Sequence, residues 1–404
     1  MDFELTEAQQ ELAALTRQIL AGQRGAGAGG NGGAGAGGAG TGGDSAGGLD
    51  AGLWASFAKA GILAAGLPEA LGGAGAGLLE QCSVLAELGR AAATVPYLAA
   101  IVQGAGAIAR FGTPEQQQRW AAPAGRGELI LTVALEDEDS DDLAVPRARA
   151  WPAGDGWVLS GVKTAVPAGT SAGLLLVPAM VSGGPDGGPD GGAGGAAGGP
   201  GADGRDGVAV FCIEPGDAGV SVQPQQLTGA SAARVVLDRA ALPPGRVLGS
   251  PAAGPGILAW LAGRGLTGLC ALQYGTLDRA LELTAQYARE RVQFGRPIGG
   301  FQAVAQRLAD AYIDVEAVRL TMWQAAWRLD AGLDAAAEVA IAKFWAADAG
   351  HRVAHTAVHV HGGMGVDVTG PVQAYFLAAK HHEFALGGAT AQLRRLGGLL
   401  AAGD

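Results

Sequence analysis

The apolar residues of this chain change period twice, and that double switch constrains the fold more than any other feature. Up to about residue 126 they recur at the spacing of one helix face. From Glu128 they fall into short runs bounded by Gly, Pro and Asp, and beyond Pro243-Pro244 the helical spacing returns. Blocks of helix, strand and helix predict an α+β chain rather than an alternating α/β one. We expect an all-α N-terminal domain over 1–126, a middle antiparallel β-sandwich or barrel over 127–244, and a C-terminal four-helix-bundle domain over 245–404. A length of 404 residues needs more than one core, because single cores stop growing at roughly 250–300 residues.

Local signals punctuate each block. Thr6 with Gln9 spells a capping box, and Leu12, Leu15 and Ile19 follow on one face, which predicts a first helix over about 6–21. Thr113-Pro114-Glu115-Gln116 is a second helix start, with Thr as N-cap and Pro at the first helical position. Strand-like runs cover 129–135, 157–159, 174–177, 208–213, 220–223 and 233–237. Leu266 to Tyr287, a stripe of Phe301, Val304, Leu308, Tyr312 and Val315, and Ala335 to His359 read as long helices. Much of the excess among 71 glycines sits in two tracts, 22–48 and 182–207. The first predicts a mobile loop and the second a long hairpin insertion, because neither can bury enough surface to offset its ordering entropy. GAGAGG in the first tract has no strand before it and is no dinucleotide fingerprint.

Charge and cysteine content exclude several functions. The net charge of −11, with no Lys/Arg stripe, argues against nucleic acid as a partner. Cys82, Cys212 and Cys270 are scattered, so neither a disulfide framework nor a zinc site is predicted, and a reducing cytoplasm fits. The N-terminus, MDFELTEAQQEL, is acidic where a signal peptide is basic. Gly256 to Gly275 is apolar but carries Arg264 and several glycines, which predicts a buried helix rather than a membrane span.

One segment is long and specific. Tyr287-Ala-Arg-Glu-Arg-Val-Gln-Phe-Gly-Arg-Pro-Ile-Gly-Gly-Phe-Gln302, continuing to Leu308-Ala309-Asp310, closely resembles the signature of acyl-CoA dehydrogenases. MDFELTEAQ, LPEALGGAGAG near 67, FGTPEQQQRW at 111, LSGVKTAVPAG at 159 and HVHGGMG at 359 match in the family's order. The resemblance implies the helix–β–helix fold read independently above. It also implies FAD, an acyl-CoA or acyl-carrier thioester substrate, electron-transfer flavoprotein as acceptor, and a dimer-based tetramer.

The chemistry so implied needs a base at Cα, donors that stabilise an enolate-like carbonyl, and a flavin that accepts hydride from Cβ. In proteins that RVQFG resembles, the Arg, the polar residue two places on and the following Phe hold the ADP part of FAD across a subunit interface. Those positions are Arg291, Gln293 and Phe294, and an arginine fork suits phosphate oxygens. His359, where the family usually has Gln, and Gly362 and Gly363 complete that half; Thr390 and Gln392 match the C-terminal EGTxQ pattern. At the flavin end, Glu136 replaces the Thr expected near the ring, and Ala165-Val166-Pro167 replaces Trp-Ile-Thr.

The base is the largest departure. The family's glutamate falls at Gly388 by alignment on Thr390 and Gln392, and its second location, on the long helix, falls at Gly265. Two readings follow: a homologous partner subunit provides the glutamate, or another group acts, with Glu383, His381, His382, Glu136 and Asp137 as candidates. Bacterial family members acting on bulky CoA thioesters, including steroid side chains, are built in the first way. A flavin monooxygenase on the same scaffold and a non-catalytic structural subunit are the competing functions. His351, His355 and His359 share a helix face, extended by Asp348, but we assign them to an interface or cofactor side and predict no metal. The acidic run 136–142 reads as a solvated loop, and Arg264 as either a CoA-side arginine or a satisfied helix residue.

Overall fold

The computed structural model describes residues 3–27, 49–182 and 207–402. The first helix, α1, spans Glu7–Gly27. Its cap is the reciprocal pair predicted: the Gln9 amide N–H meets Thr6 Oγ1 at 3.3 Å and Thr6 N–H meets Gln9 Oε1 at 2.7 Å. The helix outruns its expected end at 21, so the glycine tract does not begin as a loop at Gly22. A capped helix can carry a glycine at a cost of about 1 kcal/mol, and Gln23 ties this end to Ser56 Oγ at 2.9 Å. Most of both glycine tracts, 28–48 and 183–206, lies outside the described residues.

Helices α2 (Ala51–Lys59), α3 (Leu78–Ala91), α4 (Gly106–Phe111), α5 (Pro114–Gln116) and α6 (Ala122–Gly125) complete the first helical block. Thr113 caps α5 as its sequence promised. A nine-residue π-helix over Tyr97–Ala105, which no periodicity signalled, enters α4. Its wider turn sets Gln103 against the long helix described below.

The middle block is one curled seven-stranded sheet: β1 (Leu131–Val133), β2 (Arg149–Ala153), β3 (Gly156–Pro167), β4 (Leu174–Val181), β5 (Gly207–Ile213), β6 (Val220–Leu227) and β7 (Ala230–Leu242). Its path is β1-β4-β2-β3-β7-β6, with β5 on β4. The sheet is mixed rather than purely antiparallel. β4 runs parallel to both β1 and β2, because the β2–β3 hairpin intervenes and returns the chain to the same direction. β2 went unread because Arg149-Ala-Trp-Pro-Ala153 does not alternate cleanly. β4 and β5 pair antiparallel from Leu175–Ile213 to Val181–Gly207, on either side of the second tract. The sheet has its own core around Leu159, Val177, Phe211 and Val235.

The last block holds α7 (Gly254–Glu290), a two-stranded hairpin β8–β9 (Val292–Gln293, Arg296–Pro297), α8 (Gln302–Asp330), α9 (Ala336–His361), α10 (Gln373–Phe384) and α11 (Ala389–Ala402). A single large core joins both helical blocks. α3 and α7 meet so closely that a Cβ on Gly275 would lie 2.8 Å from the Arg90 backbone nitrogen. Asp330 at the end of α8 accepts from Leu78 N–H at 2.7 Å, and Arg246 joins Glu214 and Asp217 at 2.9 and 3.0 Å. Among the described residues one helix, Pro251–Glu290, is long and apolar enough to cross a membrane, and 67% of its apolar window is buried in the core.

Candidate functional site

Two groups of the expected residues come together. The first lies at the end of α7. Arg291 N–H donates to Tyr287 O at 2.8 Å, and Ile298 N–H returns to Arg291 O at 2.8 Å, so the β8–β9 hairpin projects as an arm. Phe294 sits at its tip with φ of 52° and is 93% exposed. The arm is braced from within: Phe294 meets Phe301 edge-on at 6.2 Å, and the Arg296 guanidinium lies 4.1 Å from the Phe301 ring. The Arg291 side chain is exposed, and its guanidinium makes no hydrogen bond or ion pair among the described residues. Gln293 donates to its neighbour's carbonyl, Val292 O, at 2.8 Å.

Beside the arm, α9 ends and turns at Gly362, whose φ of 60° suits glycine. A Cβ on Gly362 or Gly363 would meet nothing within 4 Å, so both present open backbone. His359 is exposed on the same end, and its carbonyl accepts from Gly362 N–H. Joining the two segments is a residue the sequence reading passed over: His361 stacks on Tyr287 with centroids 4.3 Å apart and planes 21° apart. Its place immediately before Gly362 was the available signal.

The second group is the turn between α10 and α11. Leu386 and Gly387 have φ of 56° and 91°, and Leu386 is a side chain forced into the left-handed region. Polar groups clamp this turn from two sides. Buried Lys343 donates to His382 O, Glu383 O and Gly387 O at 3.0, 3.1 and 3.1 Å. Gln392 donates to Leu386 O and Gly387 O, both at 3.2 Å, while its buried Oε1 has no partner. Burial pushes the Lys343 ammonium down to about 8. Thr390 is exposed in the first turn of α11.

The two glycines at the family's base positions differ in their surroundings. A Cβ on Gly388 would meet Glu383 O at 3.6 Å and Phe384 Cδ1 at 3.7 Å, which is ordinary contact. At Gly265 the space is taken: a Cβ there would sit 3.0 Å from Leu386 Cδ1 and 3.2 Å from Gln103 Cδ, with Gln103 Nε2 closer still. Gln103 is anchored by donating to Leu261 O at 2.9 Å.

Among the substitute bases, Glu136 lines a cavity. Its Oε1 accepts from Leu386 N–H at 3.3 Å, and burial raises its carboxyl above the ordinary range. The cavity, about 430 Å³, is lined by Glu136, Leu143, Phe384, Leu386 and Gly387 with the acidic loop around Glu138 to Asp141. That acidic run is therefore not solvated throughout: Glu138, Asp139, Asp141 and Asp142 are exposed, but Asp137 is buried in an ion pair with Lys163 at 2.9 Å. Glu383 turns away to His351 Nδ1 at 3.1 Å and Lys380 Nζ at 2.8 Å. His382 meets Gln273 Oε1 at 3.2 Å, and burial holds its ring far below the usual range, hence neutral. Burial lowers His381 as well. His351 and His355 lie 4.4 Å apart with their rings tilted by 36°, Asp348 pairs with Arg352, and no metal-binding group of three or more His, Cys, Asp or Glu residues gathers among the described residues. Arg264 lies over Trp260 at 4.5 Å and donates to Gln81 at 3.1 Å, which makes it a satisfied core residue.

A curled β sheet between two helical blocks, with an arm carrying Arg291 and Arg296 at the end of α7, is the architecture of a flavin oxidoreductase. Comparison with known proteins gives the family. The acyl-CoA dehydrogenase N-terminal domain matches residues 43–128 and the C-terminal domain matches residues 261–398. Acyl-CoA dehydrogenase FadE27 of Mycobacterium tuberculosis is 46% identical over 86% of this chain and 88% of its own length. A chain of the ChsE4-ChsE5 complex from Mycobacterium tuberculosis superposes with a TM-score of 0.83 at 44% identity, covering 99% of each chain. A chain of the Tcur3481-Tcur3483 steroid ACAD, G363A variant, does so at 0.81 and 38%, covering 98% of each. The chain belongs to the acyl-CoA dehydrogenase family and is a flavin oxidoreductase.

Proposed function

We propose that this chain is one half of a heteromeric acyl-CoA dehydrogenase, in which a homologous subunit carries the catalytic glutamate. The observation that carries this reading is an asymmetry: both base positions, Gly265 and Gly388, are glycine, while the arm bearing Arg291, Gln293 and Phe294 is intact. An oxidoreductase without a base loses the factor of roughly 10²–10⁴ that a positioned proton acceptor supplies. The relative ChsE4-ChsE5 is a complex, which supports the pairing, and Tcur3481-Tcur3483, which carries two names, is described as a steroid ACAD. A bulky CoA thioester is the substrate class we assign.

The residues fit FAD in two unequal halves. The ADP half fits: Arg291 has a guanidinium free for phosphate, Phe294 stands out from the surface, and Gly362 and Gly363 leave open backbone for close approach. Gln293 and His359 would complete that contact, with Thr390 and Gln392 at the opposite turn. The flavin end departs, since half-buried Glu136 stands where the family has Thr. Arg291, Gln293 and Phe294 would therefore hold the ADP part of FAD, and the partner subunit would supply the contacts that the flavin end of this chain lacks. When bound, FAD accepts hydride from the substrate's β-carbon; electron-transfer flavoprotein is the onward acceptor we assign.

The test is anaerobic flavin reduction by a panel of acyl-CoAs, with the purified chain alone and with a homologous subunit bearing the glutamate. Bleaching is expected only with both. Rapid bleaching by the chain alone would defeat the reading and direct attention to Glu136.

A further inference from the structure

We propose that Tyr287 and His361 form a positioning pair that fixes the spacing between the two halves of the ADP clasp. This inference rests on the FAD reading above. The Arg291 arm and the Gly362–Gly363 turn belong to segments far apart in sequence, and both end in exposed residues. A phosphate held between them needs a set distance, and two projecting loops lose more entropy on binding than pre-organised ones.

The stack supplies that distance. Tyr287 lies one turn before the arm, and its carbonyl accepts the Arg291 N–H at 2.8 Å, so the start of the arm is pinned to it. His361 is the last residue of α9, directly before the turn. Its Nδ1 bonds Ala357 O at 2.9 Å, which holds the ring in place and makes Nδ1 the protonated nitrogen. Burial keeps this ring neutral, so it meets Tyr287 as one flat ring on another, at 4.3 Å and 21°. The turn then folds back on it: a Cβ on buried Gly365 would lie 3.2 Å from His361 Cβ. Any displacement of His361 thus moves the Gly362–Gly363 backbone relative to Arg291. Neither ring needs to touch the cofactor for this to hold.

The test measures FAD affinity by quenching of flavin fluorescence, on the full-length chain in its native oligomer, together with urea unfolding of each variant. His361→Ala and Tyr287→Ala should weaken FAD binding about tenfold, the scale of one misplaced charge-assisted contact. His361→Phe and Tyr287→Phe keep a stacking ring and should recover affinity to within about twofold. Arg291→Ala separates the two levels of the argument. If it leaves FAD binding unchanged, the FAD reading itself fails. If it weakens binding while both alanine variants bind like the parent, the pair has no positioning role. If His361→Phe binds as poorly as His361→Ala, the Nδ1 bond rather than the stack is what matters, and the proposal is wrong.

Discussion

Gln103 occupies the space that a side chain on Gly265 would need: a Cβ added there falls 3.2 Å from its Cδ and nearer still to its amide nitrogen. Gly265 and Gly388, the two positions where the resemblance puts a base, are thus not equivalent. One is empty ground and the other is built over.

Gly388→Glu should fold with stability close to the parent, because its Cβ meets only ordinary contacts at 3.6 and 3.7 Å. Gly265→Glu should lose stability by more than the roughly 1–3 kcal/mol typical of overpacking, since it also buries a charge. Adding Gln103→Ala should return part of that loss. Urea midpoints of the four proteins decide it, and equal midpoints for both single variants would contradict the packing argument.

Arg291→Ala should leave the melting temperature of the flavin-free protein unchanged and lower flavin content of the purified oligomer by about tenfold or more under dilution. The residue has no partner to lose among the described residues, so a fall in stability would show that the guanidinium has a structural role.

Glu136→Gln should flatten a pH dependence. Burial raises the folded carboxyl above 4.5, so the folded protein binds more protons than the unfolded chain from there up to the raised value. Stability contributed by this group falls as pH rises through that window and stays low at neutral pH. Gln still accepts the Leu386 N–H, and the variant should be more stable than the parent at pH 7, with a flat response where the parent loses stability as pH rises. Parallel stability–pH curves for parent and variant would exclude this.

Lys343→Met should destabilise by about 1–3 kcal/mol or more, since three carbonyls lose a buried donor. The sign with pH is opposite to that of Glu136. Between about 8 and 10.5 the folded protein binds fewer protons here than the unfolded chain, so this group's contribution rises with pH in the parent and is absent in the variant. Hydrogen exchange at the Leu386 amide should speed up in the variant, because the turn loses one of its two clamps.

The order of blocks was legible because each rests on local period: Leu12, Leu15 and Ile19 on α1, and Val208 to Ile213 on β5, state their own geometry. What escaped depends on residues far apart. The parallel pairing of β4 with β1 and β2 is a property of chain routing, and β2 itself is a strand only because its neighbours make it one. The site divides in the same way. Arg291, Gly362 and Gly363 stand in recognisable motifs, whereas Gln103 reaches Gly265 by way of a π-helix, and His361 finds Tyr287 across two helices. Glu136 was visible as a substitution, but nothing in its neighbours foretold that it would be half-buried and Asp137 buried while Glu138 is exposed.

The arm has a cost that falls on the cell rather than on the reaction. Phe294 at 93% exposure stands near Val292, and Met364, Val366 and Val368 are also open to water. Covered in an assembly, such residues are harmless; left over in an unpaired chain, they are sticky. Synthesis of this chain in excess of whatever covers the arm should therefore end in aggregates. On the two-subunit proposal, the ratio at which the two chains are made then becomes part of what keeps this one from aggregating.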